Sequence, residues 1–263
     1  MIARKIARAA MLVGLSGLLS MSTFASSSFA GIVKVSSVKS AEPSEESLRQ
    51  GLPGRRLSGG TRGEQIFAVD AYLAALTTPD NLSITVAEHP TLLFYIPEMV
   101  ADQTGELVLR DAQDNRVYEK TVQLDSQGGI VSVDTAKDQS MPALSLNETY
   151  RWYFSIIPES TDRASDVVVH GNIRRVEQAA WLAEQSISST EIARLSEENP
   201  LMQARMFYQQ AQLWHDAAVI IGELRQANPT DEVIAAEWQQ LIETAGLTAA
   251  VEVLEPTVQI GLN

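Results

Sequence analysis

The feature that most constrains this chain is a change of period near Arg175. Upstream of it, short runs rich in β-branched and aromatic residues occupy 82–86, 91–96, 106–110, 116–124, 130–134, 150–157 and 167–176. The segments AEHP, DAQDN, DSQGG, LSLNE and PESTDRAS divide them, and Asp, Asn, Gly, Pro and Ser clusters of this kind suit turns. Seven short strands with no helical pattern between them predict an antiparallel β-sandwich.

One local detail refines that reading. In LNETYRWYF, Leu146 stands four residues before Tyr150, which opens an alternating strand. This is the order of a tyrosine corner, in which the phenol hydroxyl bonds back to nearby backbone, and it points to an immunoglobulin-like Greek key. Alternation along TYRWYFSI places Tyr150, Trp152, Phe154 and Ile156 on one face and Arg151, Tyr153 and Ser155 on the other. The first set reads as core. Tyr153, beside Arg151, is a candidate outward binding contact.

Downstream the period is helical. VEQAAWLAEQS and TEIARLSEE predict two short helices, the second capped by Thr190. A longer pair follows at 201–212 and 216–226, stopped by Asn228-Pro229, and 231–245 forms a further helix ended by Gly246. Counted back from Pro229, Ala204, Tyr208, Ala217 and Leu224 fall at or near tetratricopeptide spacings. One such unit is short of the about three that a stable array needs, so an ordinary helical hairpin packed on the sandwich is the simpler reading. The predicted fold class is α+β, mainly β: an immunoglobulin-like sandwich, then a helical hairpin region with one weakly tetratricopeptide-like unit.

The first thirty residues read as a secretory signal peptide. Arg4, Lys5 and Arg8 precede an apolar run, and small residues lead to Ser28-Phe29-Ala30, with Thr23-Phe24-Ala25 as a second cleavage site. The apolar run is shorter than the roughly 20 residues that a spanning helix needs. Domain organisation follows: 1–30 signal peptide, 31–65 flexible leader, 66–176 β-sandwich, 177–247 helical domain and 248–263 tail. Within the sandwich domain, IFAVDAYLAALTT at 66–78 is apolar but ambiguous between helix and strand.

Charge and cysteine content exclude several functions. The chain carries −13, and removing residues 1–30 takes away three cations and no anions, leaving −16. Such an acidic surface repels nucleic acid and anionic lipid. No cysteine is present, which excludes disulfides, thiolate metal sites and a cysteine nucleophile. His89, His170 and His215 sit in a predicted turn, strand and helix with no metal-ligand spacing among them, and there is no HExxH or GxSxG motif. No cofactor or catalytic constellation is expected.

Residues 51–63, GLPGRRLSGGTRG, gather five glycines and three arginines in an otherwise acidic chain. Gly54 to Thr61 has the spacing of a phosphate loop, but Gly60 stands where the phosphate-contacting lysine belongs, and no strand–helix context surrounds it. Two readings remain. Arg55, Arg56 and Arg62, with Gly59 and Gly60 allowing close approach, could dock carboxylates or phosphates of a partner. Alternatively the segment is a solvated linker, the usual state of a charge run.

The ordered set LPGRRxxGGTRG, NLSITVAEHPTLLFYIP, GELVLRDAQDN, TYRWYFSI and WHDAAVIIGELRQANP resembles the cyanobacterial family termed domain of unknown function 928, over about residues 52 to 247. The resemblance implies an exported cyanobacterial protein near envelope sensing and secretion components. It brings no activity, ligand or catalytic residue with it. Glu64-Gln65 stands where many of these relatives carry a cysteine, so no thiol role is implied here. The functional expectation is a non-enzymatic binding or protein-interaction module, periplasmic or extracellular, with no membrane span after cleavage. Its expected partner is an envelope protein or an anionic polymer. The alternative is an extracytoplasmic carbohydrate-binding or carbohydrate-acting protein.

Overall fold

A computed structural model describes residues 54–58, 66–68 and 72–248, all within one compact unit, Glu42–Asn263. The expected signal peptide, most of the leader and the tail beyond residue 248 lie outside the described residues. Eight strands come first in the described chain: β1 (Ala74–Ala75), β2 (Leu82–Thr85), β3 (Thr91–Ile96), β4 (Gln103–Arg110), β5 (Arg116–Leu124), β6 (Gly129–Asp134), β7 (Thr149–Ile157) and β8 (Val167–Arg175). Five helices follow: α1 (Gln178–Glu184), α2 (Ser189–Glu198), α3 (Pro200–Gln209), α4 (Trp214–Ala227) and α5 (Glu232–Thr244). None of the described helices is long and apolar enough to cross a membrane.

The strands form two sheets, one of three in the order β1-β3-β6 and one of five in the order β2-β8-β7-β4-β5. Their facing sides share one core. Phe94 of β3 stacks on Phe154 of β7 with ring centroids 4.0 Å apart, and Trp152 meets the same Phe94 edge-on at 5.7 Å. Trp152 lies so close to the next strand that a Cβ at Gly171 would stand 2.4 Å from its ring, which explains a glycine in mid-strand.

The smaller sheet is covered on both sides. Leu92, Phe94 and Ile96 of β3 enter the inter-sheet core, while Leu93 enters a second core with Leu182, Phe207, Trp214, Ile221 and Trp238 from the helices. That double burial is why β3 reads TLLFYI rather than alternating with polar residues. The molecule is therefore layered as large sheet, small sheet and helices. At the predicted corner, Ser145 N–H donates to the Tyr150 hydroxyl oxygen at 3.1 Å.

Several expectations change. β2 runs parallel to β8, pairing Leu82 with Asn172 and Thr85 with Arg175, so the strands are not all antiparallel. β2 and β8 are far apart in sequence and no hairpin joins them, so nothing local sets their relative direction. Residues 66–78 resolve into bridges and the two-residue β1, with no helix among the described positions. The cap of α2 is Ser188, whose Oγ accepts from Glu191 N–H at 3.3 Å, and Thr190 falls inside the first turn.

Residues 54–58, read from sequence as part of the leader, bridge the two sheets, with Arg56 and Ser58 buried and Arg55 exposed. Arg55 exchanges two backbone hydrogen bonds with His170 of β8, both 2.9 Å, and Leu57 bridges to Ala74 of β1. Ser58 N–H donates to Leu73 O at 2.9 Å and its Oγ accepts from Leu73 N–H at 3.1 Å.

Candidate functional site

The outer face of the five-stranded sheet takes its side chains from the odd positions of β7 and the even positions of β8. Alternation buries Tyr150, Trp152, Phe154 and Ile156 and leaves Arg151 exposed and Tyr153 half-buried. On β8 the same logic buries Val167, Val169 and Ile173 and turns His170, Asn172 and Arg174 outward.

Register then lines these residues up across strands. Val108, Tyr153 and His170 are successive neighbours on β4, β7 and β8, and the Arg55 bridge extends that row beyond β8. One row along, Arg116, Arg110, Arg151 and Asn172 are paired across β5, β4, β7 and β8. Directly opposed residues share a face, so the two rows place arginines around one aromatic pair. That pair is Tyr153 stacked on His170, with centroids 5.4 Å apart and planes inclined by 27°.

The electrostatics of the face follow from this crowding. Burial, then the charges of Arg55 and Arg151, hold the His170 imidazole below its ordinary value, so it is neutral near pH 7. A hydrogen bond to Tyr153 raises the Arg151 guanidinium above its ordinary value. Arg116 pairs with Glu119. Arg110 donates to Asp114 O at 2.8 Å and stands 3.6 Å from its carboxylate. Arg55 and Arg151 thus flank a neutral ring, and an anion seated between them would meet two guanidinium forks.

Two of the residues singled out from sequence, Arg55 and Tyr153, are brought together through His170. Arg56 is not with them. It is 3% exposed, and its Nη1 donates to Thr77 O and to Ala245 O, each at 2.9 Å. Ala245 is the C-cap of α5, where unpaired carbonyls and the helix dipole favour a cation. Burial lowers the Arg56 pKa, and the charge of Asp80 opposes that effect. Arg56 therefore holds the leader to the helical layer and is unavailable to a partner, which corrects its reading as a binding residue. Gly59, Gly60 and Arg62 lie outside the described residues. His170, Arg110 and Asn172 were not found from sequence because only strand register places them beside Tyr153.

A family model described as Domain of Unknown Function (DUF928) matches residues 57–254, and the chain belongs to that family. No curated protein matches it.

Proposed function

We propose that this member of the DUF928 family is an exported cell-envelope binding module, not an enzyme, whose outer sheet face grips carboxylates of an acidic partner protein. The observation that carries the reading is the placement of Arg55 and Arg151 on either side of the Tyr153–His170 stack. Export is supported by the charged start, apolar run and Ser28-Phe29-Ala30 of the sequence. The two-sheet core reads as an immunoglobulin-like sandwich with one parallel edge pair, supported by the Tyr150–Ser145 bond. The α3–α4 pair reads as one tetratricopeptide-like unit, supported by complete burial of Ala204 and Ala217.

A second reading is a carboxylated polysaccharide as partner, favoured by the Tyr153 ring on the arginine-bearing face. Calorimetric titration with poly-L-glutamate and with polygalacturonate tests both. The acidic-protein reading expects poly-L-glutamate to bind, more weakly as salt is added. The Arg55→Ala/Arg151→Ala variant should weaken that binding about tenfold or more, and bound polyanion should raise the His170 pKa. Preference for polygalacturonate that disappears in Tyr153→Ala would favour the polysaccharide. Unchanged affinity in the double arginine variant would overturn the proposed face for either partner.

A further inference from the structure

A cleft of about 200 Å³ lies between the end of β2, the β2–β3 connection and the helices. Val86, Ala87, Phe207, Val219 and Ile220 make its apolar walls. Five polar residues line it as well: Thr85, His89, Thr91, His215 and Asp216. Its volume suits a small molecule, below the roughly 300–1,000 Å³ of drug-sized sites.

The polar groups leave a specific deficit. Asp216 is 9% exposed, and its two oxygens accept from Thr85 Oγ1 at 2.7 Å and Val86 N–H at 3.1 Å, both neutral donors. Among the described residues no lysine or arginine lines the cleft or pairs with this carboxylate. His215 is 2% exposed; the Thr91 backbone meets one side of its ring, and among the described residues the ring's other nitrogen has no hydrogen-bond partner. The buried Nδ1 of His89 also lacks a partner. Buried polar atoms of native proteins are normally satisfied, and the second His215 nitrogen and the His89 Nδ1, left without partners among the described residues around one small cleft, call for an occupant.

The sign of the occupant follows from what surrounds it. A furrow that shares Thr91 and Val219 with the cleft continues along α4 to Asp134 and Glu223. Burial and the charge of Asp134 raise the Glu223 pKa, although Lys137 lies 3.3 Å from Asp134 and offsets part of that charge. Acids therefore stand at two levels of α4, at Asp216 and, about 10 Å along the axis, at Glu223. Neutral imidazoles can accept N–H bonds through a ring nitrogen. Among the described residues, no three or more His, Cys, Asp or Glu are arranged to hold a metal ion. We infer that this cleft binds a small organic ammonium ion, its charged head on Asp216 and the ring nitrogens of His215 or His89, and its apolar body against Phe207, Val219 and Ile220.

Benzylamine, benzyl alcohol and phenylacetate share one apolar body and differ in head charge. Titrating each into the full chain, while following the Val219 and Ile220 methyl and His215 ring NMR signals, separates charge from shape. Benzylamine should bind and shift these signals, benzyl alcohol about tenfold more weakly, and phenylacetate not at all. Asp216→Asn should abolish the preference for the amine over the alcohol. The series in the unmodified chain stands even where that variant fails to fold. Equal binding of amine and alcohol, no binding of the amine, or shifts confined to surface acids would each overturn the proposal.

Discussion

The outer face of the large sheet and the cleft under the helices hold similar side chains in opposite relations to water. On the face, Arg55 and Arg151 keep solvated charges around the half-buried His170. In the cleft, His215 and Asp216 are both buried and have exchanged water for a few neutral neighbours. The same residue chemistry therefore has different consequences. Exposed charges are screened and contribute little to stability, so they remain free to recognise a partner. Buried polar groups carry large desolvation terms, and each missing partner is expensive. Two neighbours in sequence mark the boundary, since Arg55 belongs to the face and Arg56 points into the protein.

The largest effect expected from breaking this contrast is at Arg56. Truncation to alanine leaves the Thr77 and Ala245 carbonyls buried without their donor, and opens space between the leader and the end of α5. Each unsatisfied group costs about 1–3 kcal/mol, so a loss on the order of 4 kcal/mol is expected. Denaturant unfolding measures it. Arg56→Lys should recover part of the loss, because one ammonium can still reach a carbonyl. A loss below about 1 kcal/mol would mean that Arg56 is as dispensable as a surface charge.

The second contrast lies inside the cleft, where pH separates two neighbouring residues. Burial pushes Asp216 up to about 6 from an ordinary 3.8, so its contribution is most favourable in acid and is lost as pH rises through 6. Burial pushes His215 down to about 4 from 6.5, so it is tolerated at neutral pH and increasingly costly as pH falls from 6.5 towards 4. Each displacement corresponds to on the order of 3 kcal/mol, and the two act in opposite directions over nearly the same window. In the intact chain they largely cancel. Relative to it, His215→Phe should gain stability on acidification from pH 7 to 4, and Asp216→Asn should lose it. Chemical unfolding across that range, with differences taken from the unmodified chain, reports the opposing slopes. Parallel profiles for both variants would show that neither group titrates with the fold.

Much of the architecture was legible in the sequence, and the failures have physical reasons. Strand positions followed from local alternation and turn clusters, and helix positions from period and caps. The Tyr150 corner was readable because its partner, Ser145, is five residues away. The parallel pairing of β2 with β8 was not, since it depends on strands nearly ninety residues apart. Arg56 was read as a partner-binding or solvated linker residue for the same reason, its acceptors lying 21 and 189 positions away. Tyr153 and Arg55 were each visible as candidates, but only the register through His170 makes them neighbours. His215-Asp216 read as the start of an ordinary helix, because burial at a helix N-terminus depends on which strand connection covers it.

The smallest expected effect is the one that completes the comparison. Arg55 anchors the leader through its backbone, which exchanges two hydrogen bonds with His170, and those bonds do not need its side chain. Its guanidinium is exposed beside a neutral ring. Arg55→Ala should therefore change unfolding stability by less than about 0.5 kcal/mol, the usual range for surface positions. The side chain should still register electrostatically. Removing a cation that holds the His170 pKa down must let that pKa rise, and NMR titration of the His170 ring in the variant measures the change. A large stability loss would place the Arg55 side chain with Arg56 as part of the core. An unchanged His170 pKa would remove the side chain from the face altogether, and with it the pairing of Arg55 and Arg151 on which the proposed anion recognition rests.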